Sequence, residues 1–157
     1  MGLSEEEIFS LFNLTVRPRN KSTPPDAVTL MLGNMDSGQF ELLVARLYEQ
    51  QGYIVHHLGG SHDGGIDILA EKTHAGATER VAIQCKHQQA KVGRPVLQQL
   101  WGVVSSDQTC TRGDLVTSSD FSAEGRVFAQ GKRLTLINRS ALMSLCCEFK
   151  VAQFAGA

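Results

Sequence analysis

The chain has 157 residues, 42% apolar and 20% charged, with a formal net charge of −1. That length allows one domain and barely two small ones, and that composition excludes disorder along most of the chain. A charge so near zero says nothing for or against a polyanionic partner, and no apolar run approaches the ~20 residues that span a bilayer, so no membrane partner is expected.

Ser4 followed by Glu7 has capping-box spacing and predicts a short helix through Leu14. The polar stretch Arg17 to Asp26 holds three of the four prolines and reads as a linker, so residues 1–35 are taken as an extension. Ser37 to Gln51 places Phe40, Leu43, Val44 and Leu47 at i, i+3, i+4, i+7, the pattern of an amphipathic helix stopped by Gly52. Tyr53 to Leu58 has strand composition, Gly59 to Gly65 is a flexible turn, and Ile66 to Glu71 and Arg80 to Lys86 are two further strands. Short links between the three favour an antiparallel meander.

The rhythm then changes. Pro95 to Val104 reads as a helix with Val96, Leu100 and Val103 on one side, followed by a strand at Asp114 to Thr117 and a helix at Ser122 to Gln130. A strand at Leu134 to Ile137 and a helix at Ser140 to Cys147 complete the unit, and residues 151–157 form a tail. Alternation of strand and helix implies parallel neighbours, so the expected fold is α/β: a mixed sheet flanked by helices, in the order α-β-β-β-α-β-α-β-α over residues 36–150. Of the four cysteines, Cys146 and Cys147 are adjacent and none forms a Cys-x-x-Cys pair. They read as small buried thiols of a reducing cytoplasm, which is the expected location.

Charge is unevenly distributed: residues 1–79 hold 5 Lys/Arg against 11 Asp/Glu, and residues 80–157 hold 10 against 5. Such asymmetry permits a basic face beside an acidic one. The strands carry the sharper signal. Period-two alternation puts Gln84 and Lys86 on one face of their strand and Ile83 and Cys85 on the other. Asp67 opens the neighbouring strand, ~5 Å away in a hairpin, so an acid, an amide oxygen and an ammonium converge. Acid and amide are hard oxygen ligands suited to Mg²⁺, and the ammonium suits charge on a transferring phosphoryl group. Taken singly, Asp67 reads better as a turn residue and Lys86 as a solvated strand-edge cation; it is the three together that point to a site.

These residues, with Phe40-Glu41, Gly52-Tyr53, the run Gly60 to Asp67, Gln84-Cys85-Lys86 and the run Thr117 to Ser122, closely resemble the catalytic domain of Mrr-type restriction endonucleases, a branch of the PD-(D/E)-x-K nuclease superfamily. The resemblance runs from about Asp36 to Asn138 and implies a restriction-endonuclease-like sheet. It implies that Asp67 is the metal-binding acid, that Gln84 stands in the place of the usual second acid, and that Lys86 is the catalytic lysine. It also implies that Glu41 matches the first-helix acid and that the Cys85 backbone carbonyl adds a metal ligand, leaving the thiol a packing role. Superfamily members often carry Pro before the acid, where this chain has Ile66.

The implied activity is metal-dependent hydrolysis of DNA in restriction or host defence, with Mg²⁺ or Mn²⁺ as cofactor and DNA as partner. A homodimer, or a separate specificity subunit or domain, is the further partner implied, because residues 1–35 are too short for a DNA-reading module. The alternatives are a structure-selective nuclease acting on branched DNA or RNA, and a binding module that keeps the fold without cutting. Among neighbouring residues, Asp63 serves equally as a turn stabiliser or a ligand through water, and His62 and His87 flank the site without an assigned role. Thr117, Ser118 and Ser122 read first as helix caps. Lys91, Arg94, Arg112 and Arg126 are candidate backbone-binding cations, each read first as a solvated charge.

Overall fold

The computed structural model describes residues 32–58, 64–149 and 151. The helix expected after Ser4, the Arg17 to Asp26 linker, Asp63, His62 and the rest of the turn before Gly64 lie outside the described residues.

Helix α1 spans Ser37–Gln50 and buries Phe40, Leu43, Val44 and Leu47 as its spacing requires. Asp36 caps it: its carboxylate accepts the Gln39 N–H at 2.7 Å, and the Gln39 side chain accepts the Asp36 N–H at 2.9 Å. Strands β1 (Ile54–His57), β2 (Ile68–His74) and β3 (Ala77–Lys86) form the antiparallel meander. The β2–β3 hairpin is longer at its turn end than expected, because Ala75 and Gly76 both adopt positive φ, 51° and 81°, and close it in two residues.

Helix α2 (Arg94–Ser106) carries the chain across to β4 (Arg112–Thr117), and α3 (Ala123–Ala129) across to β5 (Leu134–Ile137), before α4 (Arg139–Glu148). Strand order is β1-β2-β3-β4-β5, with β3–β4 and β4–β5 parallel. The buried stripe of α2 is Leu97, Leu100 and Val104. Val96 and Val103, expected to lead that stripe, flank it half-buried, because the helix rolls so that a neighbouring row meets the sheet.

Two cores sandwich the sheet. On one face α1 and α4 pack on Ile68, Ala70, Val81, Ile83, Val116 and Ile137, joined by Leu32 and Val151 from just outside the 36–150 segment. On the other, α2 packs on Ala82 and Leu115, with Ile66 and Phe121. Both faces of β3 are therefore covered.

A polar network closes one end of the sheet. Asp114 on β4 is 1% exposed; it accepts the Tyr48 hydroxyl at 2.5 Å and the Arg112 Nε–H at 2.8 Å. Arg112 also pairs with Glu79, which accepts the Tyr53 hydroxyl at 2.9 Å. Burial and the Asp114 carboxylate push the Tyr48 phenol well above its ordinary range. Arg112, a candidate DNA cation from sequence alone, is thus engaged in holding β3, β4 and α1 together.

Candidate active site

The meander and the parallel half of the sheet meet at the carboxyl end of β3. Asp67 sits one residue before β2 and is held on both sides: its N–H donates to Ile83 O and its carbonyl accepts the Leu58 N–H, each at 2.9 Å. Its carboxylate Oδ2 accepts the Cys85 N–H at 2.7 Å. The acid is therefore fixed across the Gln84–Cys85 peptide, one residue from Lys86.

Burial raises the Asp67 carboxyl above its ordinary range, outweighing the Cys85 N–H and the Lys86 charge, which lower it. Glu41, on α1, is also raised, first by burial and then by the negative charge of Asp67, with His57 opposing. Two partly buried carboxyls, both raised and one of them by the charge of the other, beside an ammonium form a site that favours added positive charge. The structure thus brings together Glu41, Asp67, Cys85 and Lys86 from three elements.

Gln84 turns toward α2 and is 2% exposed, and among the described residues its buried Oε1 has no hydrogen-bond partner. A buried amide oxygen without a donor costs ~1–3 kcal/mol, which a bound cation at this oxygen would offset. Gln99 on α2 comes close by: a Cβ on Gly65 would lie 2.7 Å from Gln84 Nε2 and 3.6 Å from Gln99 Oε1. No spacing in the sequence links these two amides, because α2 and β3 meet only through the crossover. Gly65 has φ +83°, so Gly65→Ala is expected to strain the backbone and displace Gln84. A loss of ~1–3 kcal/mol in urea unfolding is expected; stability equal to the parent would show that the loop absorbs the methyl group.

The Cys85 thiol is pushed well above its ordinary range by burial and by Asp67 and Glu41, so it is protonated at neutral pH and packs against the α1 core. His87 stacks on Phe40 with centroids 5.0 Å apart. Its Nε2 lies 2.7 Å from Met35 O and its Nδ1 2.8 Å from the Ser118 hydroxyl, so both ring nitrogens are used within the fold. Thr117 donates to Lys86 O at 2.8 Å and ties the ends of β3 and β4. Ser122 alone of the three hydroxyl residues caps a helix, accepting the Gly125 N–H at 3.0 Å. Arg126 pairs with Asp120, and Arg94 lies over the Phe128 ring at 5.4 Å.

Among the described residues no three His, Cys, Asp or Glu side chains converge into a metal-binding group. A metal ion here would take two carboxylates, Asp67 and Glu41, and complete its shell with neutral oxygens. The orphaned Gln84 Oε1 is such an oxygen, and hard oxygen donors fit Mg²⁺ or Mn²⁺.

Comparison with known proteins gives four likenesses. A family model described as restriction endonuclease, Mrr_cat, matches residues 32–146. The type IV methyl-directed restriction enzyme EcoKMrr of Escherichia coli is 33% identical over 132 residues, which cover 80% of this chain and 43% of that protein. Among solved structures, the DNA modification-dependent restriction endonuclease AspBHI superposes with a TM-score of 0.64 at 17% identity, over 88% of this chain and 40% of the other. The MspJI restriction endonuclease in complex with a 27-mer oligonucleotide gives 0.59 at 20% identity, over 90% and 37%. The chain spans less than half the length of the curated relatives it matches.

Proposed function

The chain belongs to the Mrr-type restriction endonuclease family, and from that premise we propose that it is a metal-dependent endonuclease hydrolysing phosphodiester bonds of DNA in restriction or defence. The observation that carries the reading is the Asp67 carboxylate fixed on the Cys85 N–H, one residue before Lys86 and within electrostatic reach of Glu41. Location in a reducing cytoplasm belongs to the same reading and is supported by Cys85 and Cys110, which form no disulfide among the described residues.

Asp67, Glu41, the Gln84 Oε1 and the Cys85 carbonyl are the groups that would hold Mg²⁺ or Mn²⁺. Bound there, such an ion supplies charge neutralisation at the phosphate and lowers the pKa of water. The Lys86 ammonium faces the same place and offsets charge that develops on the phosphoryl oxygens during in-line attack by water. The P–O bond to the leaving oxygen breaks as the bond from water forms, and the leaving oxygen takes up a proton. The hydrogen bond from Cys85 N–H holds Asp67 in one orientation throughout. One such site cuts one strand, so cutting a duplex takes two copies or two binding events.

The test is plasmid DNA, methylated and unmethylated, with Mg²⁺, Mn²⁺ or EDTA, beside the Lys86→Ala variant. Metal-dependent nicking or linearisation, absent with EDTA and lost in the variant, is the expected result. Binding of both plasmids without cutting would instead make the chain a binding module, and cutting by Lys86→Ala at the parent rate would remove that residue from the chemistry.

Because Gln84 stands where a third negative charge would otherwise sit, DNA phosphate supplies part of the charge that holds the ion. Mg²⁺ is therefore expected to bind at least ~10-fold more tightly, ~1.4 kcal/mol, when a duplex is present. Calorimetric titration of Lys86→Ala with and without a duplex checks this, and equal affinities would sink it.

A further inference from the structure

The three parallel strands deliver their carboxyl-end loops to one place. The segment after β3 supplies Gln88, Gln89 and Lys91, the segment after β4 supplies Ser119 and Asp120, and the start of α4, after β5, supplies Arg139. Between them lies an open cleft of about 580 Å³. Its lining includes His87, the residue after Lys86, so it lies next to the carboxyl end of β3 where the candidate active site is built. In open α/β sheets, ligands bind outside the carboxyl ends of the strands, and this cleft has that position.

Its chemistry is that of an anion site with no single deep pocket. Lys91, Arg139, Gln88 and Gln89 all line the cleft and are exposed. Asp120, the one acid among the cleft's lining residues, pairs with Arg126 and accepts the Phe121 N–H at 2.8 Å and the Asn138 amide at 3.1 Å, and it also feels the charge of Lys91. The walls are rigid, since the Ser119 hydroxyl donates to Gln89 O at 2.8 Å and Val92 N–H donates to Asp120 O at 2.8 Å. An open groove lined by two cations and two amides suits an extended phosphodiester chain.

We propose that this cleft holds the DNA backbone flanking the bond cut at the Lys86 site, with Lys91 and Arg139 contacting its phosphates. The proposal rests on the reading of the chain as a DNA nuclease. Contacts of this kind position the strand and carry no base specificity.

The experiment measures duplex DNA affinity across a salt series in the Asp67→Asn background, for that variant alone and with Lys91→Ala, Arg139→Ala or Lys132→Ala added. Lys132 precedes β5, at the opposite end of the sheet, and donates to Phe128 O at 2.7 Å, so it is the control. Lys91→Ala and Arg139→Ala are each expected to weaken binding ~3–10-fold and to reduce the slope of log K against log salt by ~0.9, with Lys132→Ala unchanged. Unchanged affinity and slope in both cleft variants would overturn the cleft while leaving plasmid cutting, and with it the nuclease reading, intact. Equal losses in all three would make the effect one of net charge and overturn it as well. Absence of both duplex binding and plasmid cutting would remove the cleft and the nuclease reading together.

Discussion

Asp67→Asn is expected to lose DNA cleavage by ~10³-fold or more while the protein melts no lower than its parent. Asparagine keeps an oxygen for the Cys85 N–H, so the local hydrogen bond survives. What disappears is a negative charge that burial already disfavours. The sign follows from the direction of the shift. The folded-state carboxyl titrates above its unfolded value of ~3.9, so the folded protein binds that proton more tightly and loses stability as pH rises through this window. Asparagine removes that loss. The melting advantage is therefore expected at pH 7–8 without metal and to vanish at acid pH, where the parent Asp67 is protonated too. Thermal melts in EDTA across pH, paired with plasmid cutting in Mg²⁺, check both halves. Cutting within tenfold of the parent would mean that the acid is misassigned, and a uniformly lower melting temperature would mean that the Asp67 charge stabilises the fold.

Asp114→Ala is expected to cost ~3–5 kcal/mol in urea unfolding. The carboxylate is 1% exposed and satisfies both Tyr48 and Arg112, so its removal leaves a half-buried guanidinium and a buried phenol with one partner fewer. Tyr48→Phe, which deletes one hydroxyl and leaves the ion pair, is expected to cost ~1 kcal/mol. The network lies at the amino end of β4, away from Lys86, which pairs with Thr117 at the other end. Cutting per folded molecule should consequently be unchanged in Tyr48→Phe. A loss under 1 kcal/mol for Asp114→Ala would show that water replaces the carboxylate in that network.

Legibility followed the range of the interactions. Helix α1 was readable because its apolar spacing is local, and β5 because a four-residue apolar run between polar turns has few other readings. Asp67, Gln84 and Lys86 were readable as a group because two strands joined by a short link must lie ~5 Å apart. The burial of Gln84 was not. Alternation separates it from Ile83, but the Gln84 face is covered only because α2 packs across the sheet there. Arg112 was read as a surface cation for the same reason: its partner Asp114 is two residues away on the strand, whereas Glu79 and Tyr48, which complete the network, are far off in sequence.

The sequence by itself determined the family, the order of elements and the closeness of Asp67 to Gln84, Cys85 and Lys86, because these depend on residue identity and on pairings between chain neighbours. Only the tertiary structure decided which groups share an environment. Glu41 meets Asp67 because α1 docks on the meander, Gln84 loses its water because α2 covers it, and His87 is occupied because Phe40, Met35 and Ser118 converge on it. The cleft after β3, β4 and β5 exists for the same reason. Three segments far apart in the chain become neighbours once parallel pairing places their strand ends side by side.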